Sequence, residues 1–450
     1  MPQKLPPGPR YPSLIQGVGH WTRPLAYLER LRARYGKRFT IRFPATPPFV
    51  IHSDPEHVKE IFTASPDVLR PGQGANVLEP LVGRKSVILL DEGPHMEQRK
   101  LMLPAFHGEK MANLTELVRE VTESDVAGWG TTGPASLHPR TQALTLEVIL
   151  RAVFGLDPGP RMDALRASLT ALLAYGENPI TLVPPPEDRA VMERNMLRLN
   201  RVGPLKGFLD HRNETARLIH EQIDERRETD EDRGDVLAML LAARHEDGAP
   251  MSGEELHDEL MTLLVAGHET TASSLAWVFE HLARDARVRD VLASEVANGN
   301  DDGPYLTATI QEMLRRRPVL PNTAPRFVNK PIEVGGWHYE PGVSVVANAY
   351  LLHHDPDVYP DPYAFRPERF LDSKPGTYTW IPFGGGRRRC LGSSFALLEL
   401  RIVIASVLRH YELRPAAGGA EVAKRRNITV YPAFGSNVAL TGRRKAPVPA

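Results

Sequence analysis

Cys390 is the only cysteine in the 450-residue chain, and it sits in "FGGGRRRCLG", Phe383 to Gly392, after three consecutive arginines. A lone cysteine is most often a small buried hydrophobe. These neighbours also suit a thiolate that binds a metal. Such a thiolate needs a loop that lets sulfur approach, donors that stabilise its charge, and exclusion of water. Gly384, Gly385, Gly386 and Gly392 permit a tight backbone, with φ > 0 where required. They also let backbone N–H groups point at sulfur. Phe383 can shield one side. "SSFALLELRIVIASVL" follows with helical periodicity, which puts the thiol near a helix N-terminus and lowers its pKa. One cysteine excludes an intramolecular disulfide, a four-thiolate iron–sulfur cluster and a cysteine-rich zinc site.

A second polar group interrupts the longest apolar pattern. Ser252 and Glu255 form an S-x-x-E capping box. The pattern it opens runs unbroken to Asp285, about 34 residues or roughly 50 Å of helix. A helix of that length runs through a domain. Its middle, "LLVAGHETTASS", contains Gly267, which weakens a helix, and Thr270 and Thr271, whose propensities are modest. A polar, loosened turn between apolar flanks suggests a site rather than a packing seam.

The elements that must position these groups are mostly helical. Apolar residues recur at three- and four-residue steps from Leu114 to Phe154 and from Met192 to Leu241. The charge-dense "DERRETDEDRGD" (224–235) is expected to be a solvated loop. The apolar, Pro-rich "GENPITLVPPPED" (176–188) suits a flap over a cavity. "RFTIRF" and "FVIHS" predict an early antiparallel pair, and "IEVGGWHY" a two-residue hairpin at Gly335-Gly336. "GVSVVANAY" and "NITVYPAFGSNVALTG" supply later strands. The expected fold is mainly α (α+β), a single domain over residues 1–450. Its β-rich parts fall at about 38–70, 328–348 and 427–442.

Lys+Arg and Asp+Glu both number 55, so no global field recruits nucleic acid or an anionic membrane. The N-terminus lacks a signal-peptide pattern, and no run reaches the roughly 18 apolar residues of a membrane span. A cytoplasmic monomer without a transmembrane anchor is expected.

F-x-x-G-x-R-x-C-x-G, at Phe383, Gly386, Arg388, Cys390 and Gly392, resembles the haem-binding loop of the cytochrome P-450 family, the haem-thiolate monooxygenases. Given one cysteine, a Phe and two Gly fall at those offsets by chance in roughly 2 cases in 10,000. Companion motifs follow the family's order. "AGHETT" (266–271) resembles its oxygen-activation motif, and "GPHMEQR" (93–99) its haem-contacting helix. Glu312 and Arg315 with Arg369 of "FRPERF" resemble its structural triad. Alone, Glu312 and Arg315 would be an ordinary i,i+3 surface pair worth a few tenths of a kcal/mol.

The resemblance covers nearly the whole chain, from "LPPGP" to the terminal strands, and implies a P-450 fold with a long helix crossing the haem. Haem b is then the implied cofactor and O2 the co-substrate, with Cys390 as axial ligand to the iron. Thr270 would hold activated oxygen through its hydroxyl, Glu269 would relay protons, and His268 would be structural. His95, Arg99, Arg326 and Arg388 would pair with the haem propionates; Phe383, Gly384, Gly392 and Ala266 would contact the haem. Two electrons would come from a ferredoxin/ferredoxin reductase-type donor at a patch including Arg387 and Arg389, since no flavin or nicotinamide domain fits in the remaining chain.

The family positions also outline a substrate cavity: 72–90, 175–186, Val265 and Ala266, 319–323, and a fifth wall at 431–434. These segments are apolar, with no obvious fixed charge, so the expected substrate is lipophilic: terpenoid, steroid, fatty acyl or polyketide. Two rival readings are a peroxygenase or isomerase needing no redox partner, and a non-catalytic haem sensor. The Glu269–Thr270 pair argues against both.

Overall fold

The computed structural model describes residues 4–106, 110–130, 133–186, 188–229 and 233–442, and helices dominate it. The capping box is formed in both directions. Ser252 accepts from the Glu255 N–H, the Glu255 carboxylate accepts from the Ser252 N–H, and the helix Gly253–Arg284 follows. Asp285 ends it and caps the next helix, Ala286–Ala297, through the Val288 N–H. The central helix is buried all round from Thr271 to Phe279, as expected of a helix that runs through a core. It packs along Leu137–Phe154 and against Ser393–His410, and all three belong to the largest apolar cluster.

Gly267 does not loosen this helix. The helix continues through it, and a Cβ there would lie 2.7 Å from Ile149 Cδ1. The glycine lets two helices approach closely, a requirement that local propensity does not reveal.

The early strands pair as the sequence predicts: Arg38–Ile41 runs antiparallel to Phe49–His52. Ser344–Ala347 joins in parallel, and Arg326–Val328 and Leu69–Arg70 complete a five-stranded sheet. The predicted hairpin forms separately between Ile332–Val334 and Trp337–Tyr339, with both turn glycines at positive φ. The C-terminal stretch divides between two further sheets. Thr429–Pro432 pairs with Ala423–Arg426, while Asn437–Gly442 lies between Pro134–Ser136 and Tyr411–Pro415. Those three partner strands are too short or too charged to carry a strand signal of their own.

The charge-dense segment departs from its expected loop. The helix Phe208–Thr229 carries through its first half; residues 230–232 lie outside the described residues. Arg226 there is buried and pairs with the equally buried Asp235 at 2.7 Å. Charge density marks a solvated face on average, and a buried partner nine residues on overrides it. The Pro-rich segment forms two 3-10 turns, Tyr175–Glu177 and Pro179–Leu182. No helix among the described residues is long and apolar enough to cross a membrane.

Candidate active site

The loop carrying the thiol is closed by its own backbone. Cys390 N–H donates to Phe383 O at 3.0 Å and Gly384 N–H to Ile381 O at 3.0 Å. Gly384 and Gly386 take positive φ, +66° and +63°, whereas Gly385 is extended and caps a short turn. Gly385 and Gly386 are required by close approach: a Cβ on either would fall within 2.3 Å of Phe62. Gly392 has an ordinary φ of −83° and caps Ser393–His410. A Cβ on it would meet nothing within 4 Å, because the residue borders open cavity.

Cys390 is an exposed residue, and what it opens onto is the cavity. Depth in the protein therefore governs its charge more than exposed area does. Burial pushes the thiol pKa up, against the Gly392 N–H and the Arg99 and Arg389 guanidiniums, which favour thiolate. A bound cation would tip this balance towards thiolate.

Beside the thiol lie His95, Arg99, Arg326 and Arg388. Arg99 donates to Arg389 O at 2.9 Å, and Arg326 is buried over the Phe62 ring at 5.1 Å. Arg388 pairs with Asp91 at 2.7 Å and donates to the carbonyls of Val87, Ile88 and Leu90. Burial, then the two neighbouring guanidiniums Arg388 and Arg99, pushes His95 down to about 3. Of these three guanidiniums only Arg388 is paired with a carboxylate, Asp91. The sequence motif did not flag Asp91, which is the N-cap residue of the helix bearing His95 and Arg99.

Across the cavity, Thr270 Oγ1 donates to Ala266 O at 2.6 Å, and both residues line the space. Glu269 is buried and heavily engaged. It accepts from Gln142 Nε2 at 2.8 Å and pairs with Arg426 at 2.9 Å; His138 Nε2 lies 3.6 Å away. Burial would raise its pKa, but His138 and Arg426 outweigh it and hold the carboxyl at about 2. His268 is bonded to Thr145 through both its ring and its carbonyl. Gln142, His138 and Arg426 are distant in sequence and carry no local signal.

Cys390, His95, Arg99, Arg388 and Thr270 face one cavity of about 1470 Å3, whereas Arg326 lines a small separate pocket with His95 and Arg388. Four of the predicted walls are present, including Gly74, Ile180, Val265 and Val319. The fifth is corrected: Arg425 to Thr429 forms it instead of 431–434. Tyr431 turns away to stack on His138 at 5.2 Å, and Phe434 is exposed. The expectation of no fixed charge fails with it, because Arg425 and Arg426 both line the space.

Behind the thiol loop, Glu312 and Arg315 are completely buried. Arg315 grips the Glu312 carboxylate with Nε at 2.6 Å and Nη2 at 2.9 Å, and Arg369 adds a contact at 3.1 Å. His353, which sequence reasoning passed over, bonds Arg315 O with Nδ1 and accepts the Ile381 N–H with Nε2 at 2.9 Å. It joins the triad to the strand of chain entering the thiol loop.

The family model described as "Cytochrome P450" matches residues 2–432. Cytochrome P450 138 of Mycobacterium tuberculosis is 36% identical over 443 residues, covering 98% of this chain and 97% of that protein. Cytochrome P450 135B1 of the same organism is 35% identical, covering 98% and 92%. Among solved structures, "Retinoic acid bound cyanobacterial CYP120A1" superposes with a TM-score of 0.84 at 21% identity, covering 98% of this chain and all of that one.

Proposed function

The chain belongs to the cytochrome P450 family; on that premise we propose that it hydroxylates or epoxidises a lipophilic small molecule with electrons from a ferredoxin-type donor. The family is one of haem b monooxygenases that use O2. The observation carrying the assignment to this site is that the single thiol opens into the same cavity as Thr270, beside a cation cluster holding one acid.

The residues present fit the cofactor. Arg99 and Arg326 have no carboxylate partner among the described residues, and their excess charge suits the two propionates. His95 contributes a neutral donor. Arg388 mainly fastens residues 87–91, so its share in propionate binding is the smallest. Gly392, Ala266, Phe383 and Gly384 line the cavity and would contact the bound group. When bound, thiolate-ligated haem supplies the electron-rich iron that splits O2 and transfers one oxygen atom.

The chain's own contributions are then positional. Cys390 is held by the Gly392 N–H, Thr270 presents a hydroxyl to the distal space, and Glu269 fixes a negative charge behind it. Exposed Arg387 and Arg389, without ion-pair partners among the described residues, suit an acidic electron donor at the thiolate side.

The test is the reduced protein under carbon monoxide. A red-shifted Soret band of the thiolate type is expected, and Cys390→His should move it to the imidazole-type position. A wild-type band already at that position, or a band unmoved by the substitution, would sink the assignment of Cys390.

A further inference from the structure

The hairpin Ala423–Arg426 with Thr429–Pro432 turns at Asn427, whose φ is +47°, and its tip enters the cavity. Consecutive strand residues face opposite ways. Arg426 goes to Glu269 and to Glu177. Arg425 goes the other way, towards the first helix, Ser13–Thr22, where its Nε donates to His20 O at 3.3 Å. Its remaining contacts are 3.5 Å approaches to the carbonyls of Asn427 and Ile428.

Arg425 is only 3% exposed, Nη2 has no partner, and no carboxylate pairs with it among the described residues. Burial lowers its pKa only to about 10, so it stays charged at neutral pH. Desolvating a guanidinium without a counter-charge is strongly unfavourable, and buried polar groups otherwise have partners. His20 beside it is also buried, with Nδ1 unpartnered, and lines the same cavity. Burial and the adjacent guanidinium keep that ring neutral, so it can donate one hydrogen bond. These two donors stand apart from the cluster at His95, Arg99, Arg326 and Arg388, whose members perturb one another but not Arg425.

We infer that Arg425, helped by His20, anchors the carboxylate of the substrate, which is therefore a lipophilic acid rather than a neutral lipophile. The cavity wall near this end includes the apolar side chains of Trp21, Ile41 and Phe43, which suit the hydrocarbon part. With the acid group held at the hairpin tip, the carbon chain is what faces Thr270 and Cys390. This last point rests on the monooxygenase reading; the anchor itself does not.

The experiment is equilibrium binding to the ferric holoenzyme, read by Soret shift and by calorimetry, of dodecanoic acid, methyl dodecanoate and dodecan-1-ol at neutral pH. The acid should bind at least about tenfold more tightly than either neutral analogue. Arg425→Gln should remove that preference while leaving ester and alcohol affinities within about twofold, and Arg425→Lys should keep part of it. The ligand-free melting temperature of Arg425→Gln should equal or exceed wild type, since an unpaired buried charge is removed.

Equal wild-type affinities for the three compounds overturn the inference. So does an equal loss for all three in the variant, or a clearly lower melting temperature, which would make Arg425 structural. Calorimetric preference for the acid without a thiolate-type carbon monoxide band would uphold the anchor and reject the monooxygenase reading. The converse result would do the reverse.

Discussion

Glu269 and Thr270 are adjacent yet differently placed, and the difference divides their labour. Glu269 is clamped by Arg426, Gln142 and His138, and at about 2 its carboxyl is ionised throughout the neutral range. A group so far below neutrality stores almost no transferable proton; it orients its neighbours and attracts protons to the region. Thr270 spends its hydrogen on Ala266 O and keeps its oxygen lone pairs free for a water or substrate oxygen. On the proposed monooxygenase reading, proton delivery would then depend on the hydroxyl. Thr270→Ala should keep consuming reductant but release hydrogen peroxide, with product per electron down by about tenfold or more. An unchanged yield per electron would reject the role. The motif made both residues legible in sequence. What it left out was Arg426, because a partner 157 residues away leaves no local pattern.

At the scale of elements, the helix Pro304–Arg316 and the irregular segment after it are joined through one carboxylate. Glu312 accepts from Arg315, Arg369 and the Arg366 N–H, while Arg315 also donates to the carbonyls of His353 and Pro362. Removing one charge of a buried set costs about 3–5 kcal/mol, because the others are left uncompensated. Glu312→Gln keeps the shape and deletes the charge, so it should lower the thermal midpoint by several degrees and reduce haem content per chain. A midpoint within a degree of wild type would show that the triad is not a buttress. E-x-x-R is visible in sequence as a helical pair, but its burial is not. The same blindness hid Arg226 with Asp235 and the packing role of Gly267. Capping boxes and glycine turns were legible because their physics is complete within a few residues, as at Ser252 and at Gly335-Gly336.

For the molecule as a whole, equal numbers of acidic and basic residues, 55 each, leave no net field to steer a partner. Any steering must come from an uneven surface. Arg387 and Arg389 are exposed on the thiolate side and have no ion-pair partner among the described residues, unlike surface arginines such as Arg217 and Arg287, which are paired with acids. An acidic donor would find unneutralised charge there, with a range of about 8–10 Å at moderate salt. Such contacts act mainly on the rate of encounter. Reduction by an acidic ferredoxin should therefore slow as ionic strength rises. The double variant Arg387→Glu with Arg389→Glu should be about tenfold slower at low salt and converge with wild type at high salt. Stopped-flow reduction across a salt series reads both effects. Rates independent of salt in wild type, or a variant deficit that persists unchanged at high salt, would place electron entry elsewhere on the surface.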